Sequence, residues 1–146
     1  MRIPEISRWK TSLVRTAGTS PIGEITLAGT IAKSRGIRRD TPRVFGQWAI
    51  VYLVAGSGGY HDARGNDAPL RAGDMILVFP EVAHSYGPDP GGAWNELYVC
   101  FRGPVFESWR ESGLFDVKKP VFHWKAPRHG LRIRSEEHTS ELQSRQ

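Results

Sequence analysis

The sequence has a single cysteine and no long hydrophobic run. Cys100 has no second cysteine with which to form a disulfide, which excludes a small secreted fold held together by disulfides. No charged start followed by an apolar stretch marks a signal peptide, and no segment of about 20 apolar residues marks a membrane-spanning helix. We therefore expect a cytoplasmic protein with no membrane partner.

The sequence also lacks a concentrated basic region. Its 20 Lys and Arg residues exceed its 15 Asp and Glu residues, which gives a net charge of +5. The basic residues stand singly or in pairs such as Arg38-Arg39 and Lys118-Lys119, whereas nucleic-acid-binding segments gather them on one face or one helix. The charge pattern therefore indicates a solvated basic surface and not direct DNA contact by this chain.

Glycine, proline and aromatic residues occur throughout the chain. The 16 glycines and 10 prolines divide the 146 residues into short segments, which favours turns and short strands over long helices. The hydrophobic fraction of 39%, with 5 Trp and 6 Phe, is enough for one packed core. Length and composition together predict a single all-β domain.

Segments with strand-like patterns alternate with turn signals at intervals of about eight to twelve residues. The β-branched segment 24–33 and the apolar segment 47–55 each predict a strand. The glycine-rich stretch Gly56–Gly59 predicts a hairpin, with its return strand beginning at Tyr60. A series of this kind predicts a sandwich or a barrel.

The segment 94–101 has the clearest alternation of side-chain types. It predicts a half-buried strand that places Trp94, Glu96 and Tyr98 on one face. After it, Pro104–Gly113 predicts a short helix, because proline is favoured at the first helical position and glycine just past the end. We expect this helix to lie against the barrel.

Four motifs follow one another in a specific order. They are Tyr52–Tyr60, Leu70–Pro80, His84–Tyr86 and Trp94–Gly103. Over residues 24–125 this ordered set resembles the arabinose-binding and dimerisation domain of AraC-type transcription regulators. The resemblance implies a cupin fold, which is a double-stranded β-helix or jelly roll, with a short C-terminal helix.

The resemblance also implies a function. In that family the barrel binds a small effector, often a sugar, and the domain forms homodimers. DNA is contacted only through a C-terminal pair of helix-turn-helix motifs, which are not visible in this sequence. We therefore expect the effector-sensing domain of a truncated regulator, with a sugar or sugar derivative as its ligand, no cofactor and no enzymatic activity.

The resemblance carries five ligand-binding positions onto this sequence, namely Thr30, Arg38, Tyr86, Glu96 and Tyr98. Arginine and glutamate bind hydroxyl groups directionally, and tyrosine rings offer an apolar face with a polar tip. Glu96 stands where the arabinose regulator has a histidine, and Tyr98 where it has a tryptophan, so the effector need not be arabinose. The loop that contains Arg38 also differs in length, which leaves Arg39 and Arg43 as alternatives for its role.

Many cupins are metal enzymes, which makes a metal-dependent enzyme the main competing class. Where their first motif has two histidines and a glutamate, this sequence has Asp62, Arg64 and Asn66, and only His84 matches the later histidine. An arginine cannot coordinate a cation, and one imidazole does not make a stable site. A metal-free sugar isomerase or epimerase with Glu96 and His84 as acid and base remains an alternative, as does a stand-alone cupin binding protein.

The chain is expected to divide into four parts. Residues 1–23 are an N-terminal arm, residues 24–125 are the cupin domain, and residues 126–133 begin a linker. Residues 134–144 resemble the translation of a common sequencing adapter, so we interpret residues 134–146 as a non-native tail. On this interpretation the natural chain continues into the DNA-binding domain.

Overall fold

A computed structural model describes residues 10–15 and 18–123. Its elements, in chain order, are β1 (Ser12–Arg15), β2 (Glu24–Ile31), β3 (Trp48–Asp62), β4 (Asp67–Arg71), β5 (Asp74–Val78), β6 (His84–Pro88), β7 (Trp94–Arg102), α1 (Pro104–Glu111) and β8 (Val121–His123). No helix in this part of the chain has the length and apolar character needed to cross a membrane. The predicted linker and non-native tail lie outside the described residues.

The strands pair in antiparallel fashion around β3, the longest of them. The first half of β3 pairs with β7 and β5 in a large sheet of order β1-β2-β7-β3-β5-β8. The second half of β3 pairs with β4 and β6 in a small sheet. The prediction of an all-β domain with one short helix after the strands is confirmed, although β8 follows the helix.

The predicted hairpin at Gly56–Gly59 is wrong, because β3 runs through this stretch without turning back. Gly56 has a φ of 109°, a value that side chains with a β-carbon rarely adopt. A β-carbon at Gly58 would lie 1.9 Å from the carbonyl oxygen of Gly87 on β6. The glycines therefore carry the strand from the large sheet into the small one and allow β6 to approach closely.

The inner core lies between the two sheets. Residues that are partners across β7 and β3 point to the same side, so Tyr98 is beside Val51 and Cys100 is beside Ala49. The small sheet contributes Tyr86 to this core, and other strands and loops complete it. Its buried members are Ala49, Val51, Leu53, Tyr60, Leu70, Ile76, Val78, Tyr86, Trp94 and Cys100.

A second, outer core forms where α1 packs on the opposite face of the large sheet. The rings of Phe106 on α1 and Phe101 on β7 have centroids 4.3 Å apart. The indole of Trp48 is buried there and donates a hydrogen bond of 3.0 Å to Glu107. The prediction that Pro104–Gly113 forms a helix against the barrel is confirmed, with the helix itself spanning Pro104–Glu111.

β1 extends the large sheet within the residues predicted to be an arm. It pairs with β2 in a register that runs from Ser12 opposite Thr30 to Arg15 opposite Leu27. The residues of β1 are exposed, so the strand is held by its backbone ladder and not by burial. Its two hydrophobic residues, Leu13 and Val14, are adjacent and do not alternate with polar residues, which is why the sequence did not predict this strand.

Candidate functional site

A cavity of about 230 Å³ lies inside the inner core. Its walls come from β2, β3, β5, β6 and β7 and from the loop between β2 and β3, residues 32–47. The lining residues with polar or ionisable groups are Arg43, Tyr86, Glu96, Tyr98 and Cys100. The rest of the lining is apolar and includes Phe45 and Val51. The volume equals that of about eight liquid water molecules, which suits one small organic molecule.

Glu96 supplies the carboxyl group of the cavity. It lies on β7 opposite Ile31 of β2 and Leu53 of β3, and only 3% of its surface is exposed. The indole Nε1 of Trp94 donates a hydrogen bond of 2.5 Å to its Oε2. Burial raises the pKa of Glu96, while the Trp94 hydrogen bond and the charge of Arg43 oppose the rise. Within the described residues nothing bonds to Oε1, so this oxygen is available to a ligand.

Two tyrosines form aromatic walls of the cavity. Tyr86 on β6 is buried, and its ring stacks on Trp94 with centroids 6.0 Å apart. Tyr98 on β7 lies over Gly29 of β2, where an added β-carbon would come within 2.8 Å of the Tyr98 hydroxyl oxygen. Burial raises the pKa of both hydroxyl groups, so both remain protonated and can donate as well as accept hydrogen bonds.

Arg43 brings a positive charge to the cavity from the loop 32–47. Its backbone N–H and C=O each form a 3.0 Å hydrogen bond with the backbone of His84 on β6. Its guanidinium carbon lies 4.8 Å from the centre of the Phe45 ring, within the range of a cation–π interaction. Arg43 makes no ion pair with a carboxylate of the described residues.

Three of the five predicted ligand-binding residues line the cavity, namely Tyr86, Glu96 and Tyr98. Thr30 is not brought to them, because it lies on the other face of β2, opposite Leu97 on the outside of the large sheet. There its hydroxyl is 2.8 Å from that of Ser12 and donates a hydrogen bond of 2.6 Å to the carbonyl of Lys10. Thr30 therefore stabilises the pairing of β1 with β2.

Arg38 also lies outside the cavity. It is exposed and forms a two-bond ion pair with Asp40, with N···O distances of 2.9 and 2.5 Å. Arg39 is directed to the surface as well, where it pairs with Asp67 at 2.7 Å. Among the three arginines that the sequence offered for this role, Arg43 is the one that reaches the cavity.

The positions that hold metal ligands in many cupins are occupied here by a hydrogen-bonded turn. The buried Asp62 carboxylate accepts hydrogen bonds from the Tyr60 hydroxyl and the backbone N–H of Arg64. Asn66 donates to it twice, from its backbone and from its side chain. These residues do not fit a metal, since both Asp62 oxygens are engaged. Over residues 10–15 and 18–123 there is no cluster of three or more His, Cys, Asp or Glu side chains that could hold a metal ion.

His84 begins β6 and is buried, but it does not line the cavity. Its Nδ1 is 3.0 Å from the carbonyl oxygen of Val82 and therefore carries the donated proton, while Nε2 is buried without a partner in the described part of the chain. Burial lowers the pKa of His84, which favours the neutral ring. An acid–base pair of Glu96 and His84 is thus not assembled on the cavity wall.

Sequence reasoning missed two residues that shape the cavity, Phe45 and Gly29. Phe45 lies in a loop where no strand or helix pattern predicts the direction of a side chain. Gly29 did leave a signal, because a glycine inside a β-branched strand often marks a close approach by another group. Here two groups approach, the backbone carbonyl oxygen of Ser12 and the hydroxyl of Tyr98.

Comparison with known protein families agrees with this geometry. A family model described as the AraC-like ligand binding domain matches residues 24–143. The chain belongs to this family. The family description assigns it a ligand-binding role.

Solved structures share the fold at low sequence identity. YhaK from Escherichia coli is 14% identical, with a TM-score of 0.52, and the match covers 64% of this chain and 45% of YhaK. A cupin protein from Bacteroides fragilis is 13% identical, with a TM-score of 0.48 and coverage of 64% and 76%. The double-stranded β-helix predicted for this AraC-like ligand-binding domain is confirmed by its strand pairing, its family and its likeness to YhaK. No curated protein matches the chain.

Proposed function

We propose that this chain is the effector-sensing domain of an AraC-type transcription regulator and that its effector occupies the cavity beside Glu96. The observation that carries the proposal is the Glu96 carboxyl, which is buried with a single hydrogen-bond partner among the described residues. Burying a carboxyl group is unfavourable unless its hydrogen bonds are satisfied. A ligand that completes these bonds accounts for the residue, and family membership supports a ligand-binding role.

The proposed effector is a sugar or a sugar derivative. The rings of Tyr86 and Tyr98 offer apolar faces to the C–H surface of a sugar, while their hydroxyls and Glu96 offer hydrogen bonds to its hydroxyl groups. We assign to Arg43 the role first predicted for Arg38, because Arg43 reaches the cavity. A direct contact with Thr30 is not part of the proposed site.

We further propose a cytoplasmic homodimer that contacts DNA through a separate helix-turn-helix domain. Ligand binding would then shift the equilibrium between arrangements of the dimer on DNA, with no cofactor and no chemical reaction. Support for a second copy comes from the outer face of the large sheet, which leaves Val14, Leu97 and Phe122 exposed beyond α1. Surface ion pairs at Arg38, Arg39, Arg102 and Arg110 support the absence of direct DNA contact by this domain.

Thermal melting of the full chain with a panel of sugars and sugar derivatives tests the proposed function. A ligand at a hundred times its dissociation constant adds about 2.7 kcal/mol to the free energy of unfolding. The melting temperature should then rise by several degrees.

Glu96→Gln should weaken binding at least tenfold and keep the fold. Glu81 is exposed and lies outside the cavity, so Glu81→Gln should bind the ligand as the unchanged protein does.

A panel in which no compound raises the melting temperature would contradict the sugar-sensing role. Equal affinity in Glu96→Gln and in the unchanged chain would remove Glu96 from the site.

A further inference from the structure

The cavity has a permanent positive charge in its lining. Among the described residues that line it, only Arg43 has a side chain that stays charged at every ordinary pH. Its position is fixed at both ends, because the backbone is bridged to His84 on β6 and the guanidinium lies over Phe45. Little freedom is lost when such a group binds a ligand.

Four other arginines of the fold, unlike Arg43, form an ion pair with a neighbouring carboxylate. Arg38 pairs with Asp40 and Arg39 with Asp67, both on the surface. Arg110 likewise pairs with Glu81 beside the outer core. Arg43 has no carboxylate partner among the described residues. It lines the cavity, where an unpaired charge attracts an opposite charge more strongly than it does in open water.

The acid of the cavity does not fully cancel this charge. Burial raises the pKa of Glu96 and favours its uncharged form, and Glu96 makes no ion pair with Arg43. The remaining polar groups, Tyr86 and Tyr98, are neutral hydroxyls. The cavity therefore combines the charge of Arg43, which is not paired with Glu96, with hydrogen-bonding groups and aromatic walls.

We propose that the effector is a small hydroxy acid whose carboxylate binds the guanidinium of Arg43 and whose hydroxyl groups bind Glu96 and Tyr86. This inference rests on the proposed function and narrows its ligand from sugars in general to sugar acids. A guanidinium is planar and binds a carboxylate through two parallel N–H···O bonds, which a neutral hydroxyl cannot reproduce. Discrimination between an acid and its parent sugar thus depends on Arg43.

Isothermal titration of the full chain with matched probes tests the inference. The probes are D-galacturonate and D-glucuronate, each compared with its neutral parent, D-galactose or D-glucose. We expect at least one acid to bind at least tenfold more tightly than its parent sugar. Arg43→Gln should weaken binding of that acid by roughly tenfold to a hundredfold, because a hydrogen-bonded charge is lost.

Arg38→Gln is the matched control, because it removes an arginine of the same loop that pairs with Asp40 outside the cavity. It should leave the affinity for the acid unchanged. Arg43→Lys keeps the charge but not the planar fork, so it should retain the preference for the acid with reduced affinity. This second variant keeps the test decisive if Arg43→Gln folds poorly.

The outcomes separate the two proposals. Equal or tighter binding of the neutral sugars, or an Arg43→Gln variant that binds the acid as the unchanged chain does, overturns the hydroxy-acid inference and leaves the sugar-sensing function standing. Failure of all four probes to bind, in a chain that melts cooperatively, contradicts both.

Discussion

Glu96 and His84 are both buried, and burial moves their pKa values in opposite directions. The pKa of the Glu96 carboxyl is raised and that of the His84 imidazole is lowered. Glu96 therefore contributes stability that is present below its unfolded pKa and is lost as the pH rises through its raised folded value. His84 contributes stability that is present above its unfolded pKa of about 6.5 and is lost as the pH falls through its depressed folded value.

His84→Gln should make the protein less sensitive to mild acid. His84 should make the free energy of unfolding fall as the pH is lowered from about 7.5 to 5, because the unfolded chain takes up a proton that the buried His84 does not. Urea denaturation at several pH values measures this slope. Glu96→Gln leaves His84 in place and removes the opposing contribution of Glu96, so it should make the fall steeper. Equal slopes in His84→Gln and the unchanged chain would refute the assignment to His84.

At the level of residues, the sequence predicted the cavity lining best where strand alternation applies. Glu96 and Tyr98 are two residues apart on β7 and face the cavity together. Thr30 shows the limit of this reasoning, because in a strand a difference of one position moves a side chain to the other face. Gly29 and Ile31, its neighbours on β2, stand opposite Tyr98 and Glu96 on the cavity side.

The choice between Arg38 and Arg43 could not be made from the sequence. Both lie in the loop 32–47, whose course is set by isolated backbone bridges to β6 and not by a repeating pattern. Such bridges join residues that are more than 40 positions apart. A loop of this kind has no periodicity from which the direction of a side chain can be predicted.

At the scale of elements, Gly58→Ala should destabilise the fold. Its β-carbon would lie 1.9 Å from the carbonyl oxygen of Gly87, so β6 would have to move away from β3. Overpacking of this kind costs about 1–3 kcal/mol. Gly59→Ala is the matched control, because the nearest atom to its β-carbon is 3.7 Å away, and it should be as stable as the unchanged chain or more so. Equal urea midpoints for the two variants would contradict this account of the bend.

Elements defined by local rules were predicted correctly, and those defined by distant contacts were not. Proline at the start and glycine after the end were enough to predict α1. A run of glycines is compatible with both a turn and a bend, and only the partners of the strand decide between them. For β3 those partners are β4 and β6, which follow it in the chain.

At the scale of the whole molecule, the large sheet separates two hydrophobic cores that have different structural roles. The inner core surrounds the cavity, and the outer core fixes α1. Phe106→Ala should therefore lower the free energy of unfolding by roughly 2–4 kcal/mol without changing ligand affinity, because Phe106 packs on Phe101 away from the cavity. Denaturation and titration of the same variant test both parts, and a tenfold loss of affinity would show that the cores are coupled.

The single course of β3 through both sheets determines which side of the cavity can adapt to a guest molecule. Ala49 and Val51 form part of one wall, and their strand is hydrogen-bonded along its length to β4, β5, β6 and β7. Shifting that wall would require breaking ladders on both sides at once. The loop 32–47, which carries Arg43, is joined to β6 by isolated bridges at Ile37 and Arg43, with three backbone hydrogen bonds in all. Adjustment to guests of different size therefore falls to the stretches of the loop 32–47 that lie outside these bridges, and their backbone amides should exchange with deuterium faster than those of β3.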